Sequence, residues 1–214
     1  IETETISIKT LIARTVDFPQ CLKKSLLALS KPGDNEIYRK SQADAELGIF
    51  IGNSINDLLE KVGLDRSEIE AIGSHGQTIR HHPEATPSFT VQIGSGAHIA
   101  EICGIPTIND FRSRDMAAGG EGAPLVPSFH DAIFRSKVNN RVILNLGGIA
   151  NISILELENS KDTVIGFDTG PANTLLDSWI ESCRQKPFDD KGNWAKSGNL
   201  NERLLTQLLE DPYF

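Results

Sequence analysis

The sequence predicts an α/β protein, and three observations carry that prediction. Apolar runs of strand length alternate with segments of helical periodicity. Glycine and proline punctuate most of the changes from one to the other. Several of the strand-like runs open into loops dense in glycine and polar side chains, as open α/β sheets do beyond the carboxyl ends of their strands.

Taken in order, Thr5–Ala13 reads as an early strand, with Ile6 and Ile8 and then Leu11 and Ala13 as its apolar positions. Phe18–Lys31 reads as a helix with Leu22, Leu26 and Leu29 on one side, ended by Pro32-Gly33. The longest helical signal runs from Asn35 to Val62. In it Leu47, Ile51, Ile55 and Leu58 recur at helical spacing, and Gly63 follows as the C-cap. Glu70–Gly73 is a short strand leading into Ser74-His-Gly-Gln-Thr78. Phe89–Ile93 is another strand, Ala97–Cys103 a short helix stopped by Gly104, and Ile105–Asn109 a third strand. Asp110–Gly122 reads as a polar, glycine-rich loop, and Pro124–Phe134 as a helix.

Arg141–Leu146 is strongly apolar. Gly147-Gly148 turns the chain and Ile149–Leu157 returns, a β-hairpin with a glycine tip. Asp162–Phe167 is one more strand. Asp168-Thr-Gly-Pro171 then leads into a helix expected to bury Leu175, Leu176, Trp179 and Ile180. Asn201–Glu210 closes with Leu204, Leu205, Leu208 and Leu209. Lys137-Val-Asn-Asn140, polar and just ahead of the strongest strand, is the expected domain boundary.

The bulk numbers set bounds. A chain of 214 residues with 39% hydrophobic composition can bury a genuine core in one large or two small domains. A formal net charge of −8 is a poor match for a phosphate backbone, so no nucleic-acid partner is expected. No apolar run approaches the ~20 residues of a membrane span, and none reads as a secretory leader, so the expected setting is cytoplasmic with no membrane partner. Cys21, Cys103 and Cys183 are odd in number and far apart, fitting neither a disulfide framework nor a metal site. The chain starts at Ile1 without Met and stops just after a helical pattern, and it reads as a piece of a longer protein.

Four loops carry the candidate chemistry. Asp168 ends an apolar strand. It is either a partly desolvated carboxylate suited to general-base work, or an N-cap or turn aspartate ahead of Gly-Pro. In Asn145-Leu-Gly-Gly-Ile-Ala-Asn151 the glycines let backbone approach a phosphate, though an ordinary tight hairpin explains them as well. There is no Walker Gly-x-x-x-x-Gly-Lys-Ser/Thr pattern. Arg112, Arg114 and Asp115 form either a fork for sugar hydroxyls and carboxylates or a surface ion-pair cluster. The following Ala117–Ala123 loop is flexible enough for its main chain to close on a ligand. His81, His82, His98 and His130 show no metal-binding spacing and read as structural or surface residues, so no metal site of protein ligands is expected. His75, in its glycine loop, stays a site candidate.

Together these loops resemble one family. Gly73-Ser-His-Gly-Gln-Thr-Ile79, the long run Asn109–Pro127, Leu144-Asn-Leu-Gly-Gly-Ile-Ala-Asn151 and Gly166-Phe-Asp-Thr-Gly-Pro-Ala-Asn173 are similar to the motifs of anhydro-N-acetylmuramic acid kinases. They occur in order and over essentially the whole chain, and the Arg114–Pro127 stretch is the most specific. The family belongs to the sugar kinase, Hsp70 and actin superfamily. The resemblance therefore implies a mixed sheet with flanking helices in ribonuclease-H-like (actin-like ATPase) domains: a first domain over residues 1–138 lacking its opening strand, and the incomplete start of a second over 139–214.

The implied activity opens the 1,6-anhydro ring of the sugar with water and phosphorylates O6 from ATP, in peptidoglycan recycling. Asp168 matches the catalytic aspartate that deprotonates the attacking water. Arg114 matches a sugar-holding arginine, with Gln77, Thr78, His75 and Asp115 in the implied sugar pocket. Asn145, Gly147, Gly148, Asn151 and Gly170 fall in the implied nucleotide-binding elements. The implied cofactors are ATP and Mg2+, the implied partners the amino sugar and ATP, with a homodimer left open.

The chain departs from the family pattern at Ser113, where a further arginine is usual, and at Ala172, where glycine is usual. The family's first phosphate loop would precede Ile1. Two other classes compete. A sugar-binding module without turnover shares the same loops. An aspartic protease would use Asp168-Thr169-Gly170, but needs a second such triplet or a symmetric dimer, and the chain has no second copy.

Overall fold

The computed structural model describes residues 8–157 and 164–211. The chain divides into two compact units, the first Lys9–Ala123 and the second running from Pro124 onward and including Ile8. Lys137–Asn140, the polar stretch ahead of the strongest strand, lies inside the second unit.

In the first unit the core is built on two helices, α1 (Gln20–Ala28) and α2 (Glu36–Val62). α1 begins only after Pro19, which occupies its N-cap, so Phe18 stays outside it. α2 ends at Gly63 in the left-handed conformation, the C-cap its sequence predicts. Leu22, Leu26, Leu29, Ala43, Leu47, Ile79 and Ile93 form one buried cluster. The described part of the expected Thr5–Ala13 strand does not form one. Thr5–Ser7 lie outside the described residues, and Ile8–Ala13 has no regular structure, with Leu11 70% exposed. Apolar alternation makes a strand only where a neighbouring strand takes up its N–H and C=O groups.

α3 (Gly96–Cys103) crosses α2 closely. Gly48 and Gly52 of α2 make the crossing possible, since a Cβ on Gly48 would stand 2.7 Å from the Ser95 carbonyl oxygen. Asn56 Nδ2 donates to the Ile102 carbonyl at 3.1 Å across the same seam. Ile99, Cys103 and Ile105 form a second buried cluster beneath it. Asp44 of α2 holds the approach to α3, its carboxylate accepting from Gly94 N–H at 2.7 Å.

The strands of this unit are short. β1 (Ile72–Gly73) pairs in parallel with β4 (Thr107–Ile108). β2 (Gln77–His82) pairs antiparallel with β3 (Phe89–Ile93). β2 is hidden in the sequence because Gln-Thr-Ile-Arg-His-His offers one buried apolar side chain, Ile79, and the β3 ladder supplies the rest. The expected loop 110–122 also proves partly helical: α4 (Phe111–Ala117) buries Met116, and only the glycines after it form a turn.

The second unit holds α5 (Val126–Phe134) and an antiparallel sheet ordered β5 (Arg141–Leu146), β6 (Ile149–Leu155), β7 (Ile165–Pro171). The register gives the sheet two unlike faces. One carries Val142, Leu144 and Leu146 beside Ile154, Ile152 and Ala150, and then Ile165 and Phe167. It is entirely apolar, yet Leu144 is 57% exposed. The other face carries Ser153 and Gly166 under α5, where His130 Nδ1 and Ser153 Oγ share a 2.9 Å hydrogen bond. Gly166 leaves the room that Pro127 fills.

α6 (Asn173–Arg184), the single-turn α7 (Asn193–Lys196) and α8 (Glu202–Leu209) follow. The expected burial on α6 holds for Ile180 alone. Leu175, Leu176 and Trp179 are exposed, as are Leu204, Leu205, Leu208 and Leu209 of α8. Their spacing sets an apolar side, but that side stands exposed at these residues. No helix of the described residues is long and apolar enough to cross a membrane.

Candidate active site

The candidate residues fall into two groups, one in each unit. In the second unit Asn151 of β6 stands opposite Asn145 of β5 on one side and Asp168 of β7 on the other. Strand alternation puts Asn151 on the face of Ser153, and Asp168 on the face of Gly166. A polar row therefore crosses the sheet beyond the part that α5 covers.

Asp168 is neither a turn nor an N-cap residue. The ladder continues to Pro171, so Asp168 lies inside β7, and the N-cap of α6 is Ala172, with no side-chain cap. A register shift between Ala150 and Asn151 accommodates Thr169, whose Oγ1 donates to the Ala150 carbonyl at 3.3 Å. That bulge fixes how Asp168 is presented. Asp168 is exposed, so the described residues do not bury its carboxylate. Asn145 is likewise exposed, while Asn151 is half-buried and Gly170 buried.

The glycine tip of the β5–β6 hairpin docks on the start of α6. Gly148 O accepts from Ala172 N–H at 2.9 Å and from Thr174 N–H at 3.2 Å, and Gly147 O accepts from Asn173 N–H at 3.0 Å. These contacts satisfy amide groups that open the helix and would otherwise lack partners. A Cβ on Gly148 would stand 2.6 Å from Thr174 Oγ1, so a larger residue there would have to turn the threonine side chain aside. Asn145, Gly147, Gly148, Asn151, Asp168 and Gly170 are thus brought together by one sheet and one helix start.

In the first unit a second cluster forms around the turn after α4. Arg112 Nε donates to His75 Nε2 at 2.8 Å, and Arg112 Nη1 donates to the Gly122 carbonyl at 2.6 Å. Asp115 accepts from Gly122 N–H at 2.8 Å. Gly122 is buried at φ +73°, and a Cβ there would press on Met116, so only glycine fits. Gln77 is exposed on β2, and Thr78 Oγ1 accepts from Gln92 Nε2 at 3.2 Å. Arg114 is exposed, and its guanidinium has no hydrogen-bond or ion-pair partner among the described residues. The structure thus joins His75 and Asp115 through Arg112 and Gly122, and leaves Arg114, Gln77 and Thr78 outside that network.

The sequence offers Arg112 only as one member of a charged cluster. Its partners lie 37 and 10 residues away, beyond the reach of local pattern. The other histidines have ordinary neighbours: His81 with Thr90, His82 with Glu84, His98 with Ser95 and His130 with Ser153. Among the described residues no group of three or more His, Cys, Asp and Glu is placed to hold a metal ion.

Comparison with known proteins gives a consistent result. The family model described as anhydro-N-acetylmuramic acid kinase matches residues 1–214. An anhydro-N-acetylmuramic acid kinase of Acinetobacter baylyi is 55% identical over 200 residues, covering 94% of this chain and 52% of the relative. One of Coxiella burnetii is 49% identical over 207 residues, covering 97% and 55%. One of Shewanella amazonensis is 47% identical over 214 residues, covering 100% and 58%. The chain therefore spans about half the length of the curated relatives it matches.

Proposed function

The chain belongs to the anhydro-N-acetylmuramic acid kinase family, and from that membership we propose that the whole protein uses ATP and water to convert anhydro-N-acetylmuramic acid to N-acetylmuramic acid 6-phosphate. The observation that carries this reading is the polar row Asn145, Asn151, Asp168 beside a glycine-tipped hairpin docked on a helix start. Asp168 accepts a proton from water as the water oxygen attacks the anomeric carbon. The bond from that carbon to O6 breaks, and O6 takes the γ-phosphoryl group as ADP departs. Little covalent work falls to the protein in such a transfer, so positioning and charge stabilisation dominate.

Arg114, exposed and without a hydrogen-bond or ion-pair partner among the described residues, supports the role of sugar contact, which we extend to Gln77 and Thr78. The oxygen-rich side chains of Asn145, Asn151 and Asp168 suit Mg2+, which prefers oxygen ligands and, when bound, neutralises phosphate charge. Three consecutive antiparallel strands followed by a helix support a ribonuclease-H-like second domain. The proposed location is the cytoplasm.

The test uses the full-length protein with ATP, Mg2+ and the anhydro-sugar. Sugar 6-phosphate and ADP should form in equal amounts, and Asp168→Asn should abolish turnover while leaving sugar binding. Near-normal turnover in that variant would overturn the assignment.

A further inference from the structure

We infer that His75 and Arg112 are positioning residues that shape the 118–122 turn for sugar recognition, and that neither contacts the sugar itself. The inference rests on the kinase reading for the word sugar, and on geometry alone for the clamp.

The chemistry of the contacts sets the direction of each hydrogen bond. Guanidinium nitrogen only donates, so His75 Nε2, 2.8 Å from Arg112 Nε, presents its lone pair. The ring proton then sits on Nδ1, which donates to the Gly76 carbonyl at 2.9 Å. Both ring nitrogens of His75 are occupied within the first unit, which leaves no ring nitrogen for a ligand. The ring itself is held by Gly76, whose φ is +66° and whose missing Cβ is what lets it lie against the Ile93 carbonyl.

Arg112 carries that order across to the turn. Its Nη1 holds Gly122 O at 2.6 Å, while Asp115 holds Gly122 N–H at 2.8 Å, so one peptide group is gripped at its carbonyl and the one before it at its amide. Asp115 also accepts from Gly120 N–H through its backbone carbonyl at 2.9 Å, and a Cβ on Gly120 would overlap its carboxylate. Asp115 is thus a member of the same clamp.

A surface ion-pair cluster is the competing explanation, and the geometry excludes it. Arg112 has no carboxylate within ion-pair distance among the described residues, and both its bonds go to neutral acceptors. A guanidinium spent on a neutral imidazole and a main-chain carbonyl is fixing a backbone path. Arg114, two residues on in the same helix, is left as the charge that meets ligand.

The experiment uses the full-length protein and the variants His75→Leu, His75→Gln and Arg112→Lys. Hydrogen exchange over residues 117–123 is measured without ligand, and KM for the anhydro-sugar and for ATP are measured separately. In His75→Leu and Arg112→Lys, exchange accelerates and the sugar KM rises about tenfold, the scale of one hydrogen bond to a charged group, while the ATP KM and kcat stay within about twofold. His75→Gln, whose amide oxygen can accept from Arg112, restores both readouts toward wild type. Unchanged exchange in His75→Leu, an ATP KM that moves as far as the sugar KM, or no restoration by Gln would overturn the inference. If the wild-type enzyme fails to phosphorylate the sugar, the kinase reading falls, and the exchange measurement still decides whether the clamp exists.

Discussion

Asp168 and Asn151 stand directly opposite each other in the β6–β7 ladder, at the one place where its register shifts. The bulge at Thr169 sets the carboxylate beside the amide while the strand continues to Pro171. Had Asp168 capped α6, its oxygens would have been consumed by helix N–H groups. In mid-strand they are left for other chemistry.

That placement makes the first prediction. In the full-length enzyme Asp168→Asn should lower kcat by about 10³, within the range of general-base contributions, with sugar affinity by calorimetry changed only a few-fold. Asn151→Ala should act mainly on the KM for ATP. An equal loss of sugar binding in Asp168→Asn would argue that the carboxylate holds the ring rather than the water.

The α2–α3 crossing makes the second. Alanine favours a helix over glycine by about 1 kcal/mol, so Gly48→Ala should stabilise an isolated α2. In the folded unit the new Cβ would stand 2.7 Å from the Ser95 carbonyl oxygen and 3.1 Å from Ser95 N. Overpacking against backbone costs about 1–3 kcal/mol, so the net effect should be destabilising by roughly 1 kcal/mol. A urea midpoint that rises in the variant would contradict this.

Asp189 makes a prediction about pH. Its carboxylate accepts from the backbone N–H groups of Trp194 and Ala195, both at 2.9 Å, and these bonds hold its pKa below the ordinary carboxylate range. A native pKa below the unfolded one stabilises the fold above the unfolded value, and the contribution fades as pH falls through the native value. Trp194 fluorescence should therefore begin to change below about pH 4, the ordinary aspartate range, and Asp189→Asn should already show the low-pH signal at neutral pH. A flat profile in both proteins would remove the role given to this carboxylate.

The cysteines should separate cleanly. Cys21 and Cys183 are exposed, while Cys103 is fully buried between α2 and α3, where burial pushes its thiol pKa up. A disulfide reagent should label Cys21 and Cys183 fast and Cys103 only on unfolding, since the thiolate is the reactive form. Rapid labelling of Cys103 would mean that the helix crossing opens.

The apolar sheet face makes the last. Val142, Leu144, Leu146, Ile165 and Phe167 are exposed together on one face of the β5–β6–β7 sheet. Such a contiguous patch binds apolar dyes. Leu144→Gln should reduce dye fluorescence of this chain by a measurable fraction, and an unchanged signal would place the dye elsewhere.

Local pattern determined much of this molecule. The helix from Glu36 to Val62 with its glycine cap, the hairpin turned by Gly147-Gly148 and the helix ended by Gly104 all follow from periodicity and backbone chemistry within a few residues. The motifs around Asp168 were legible for the same reason, because they are contiguous. Tertiary structure decided what depends on partners far along the chain. Residues 77–82 became a strand because β3 offered a ladder, and Ile8–Ala13 did not because no described strand did. The side of α6 that periodicity marks as buried is exposed at Trp179, since an apolar stripe is buried only by something that covers it. His75, Arg112 and Gly122 meet through bonds that no local spacing encodes. Asp168 shows both limits: the motif that makes it a candidate is contiguous in the sequence, and its place inside a strand, opposite Asn151, came only from the pairing of β6 with β7.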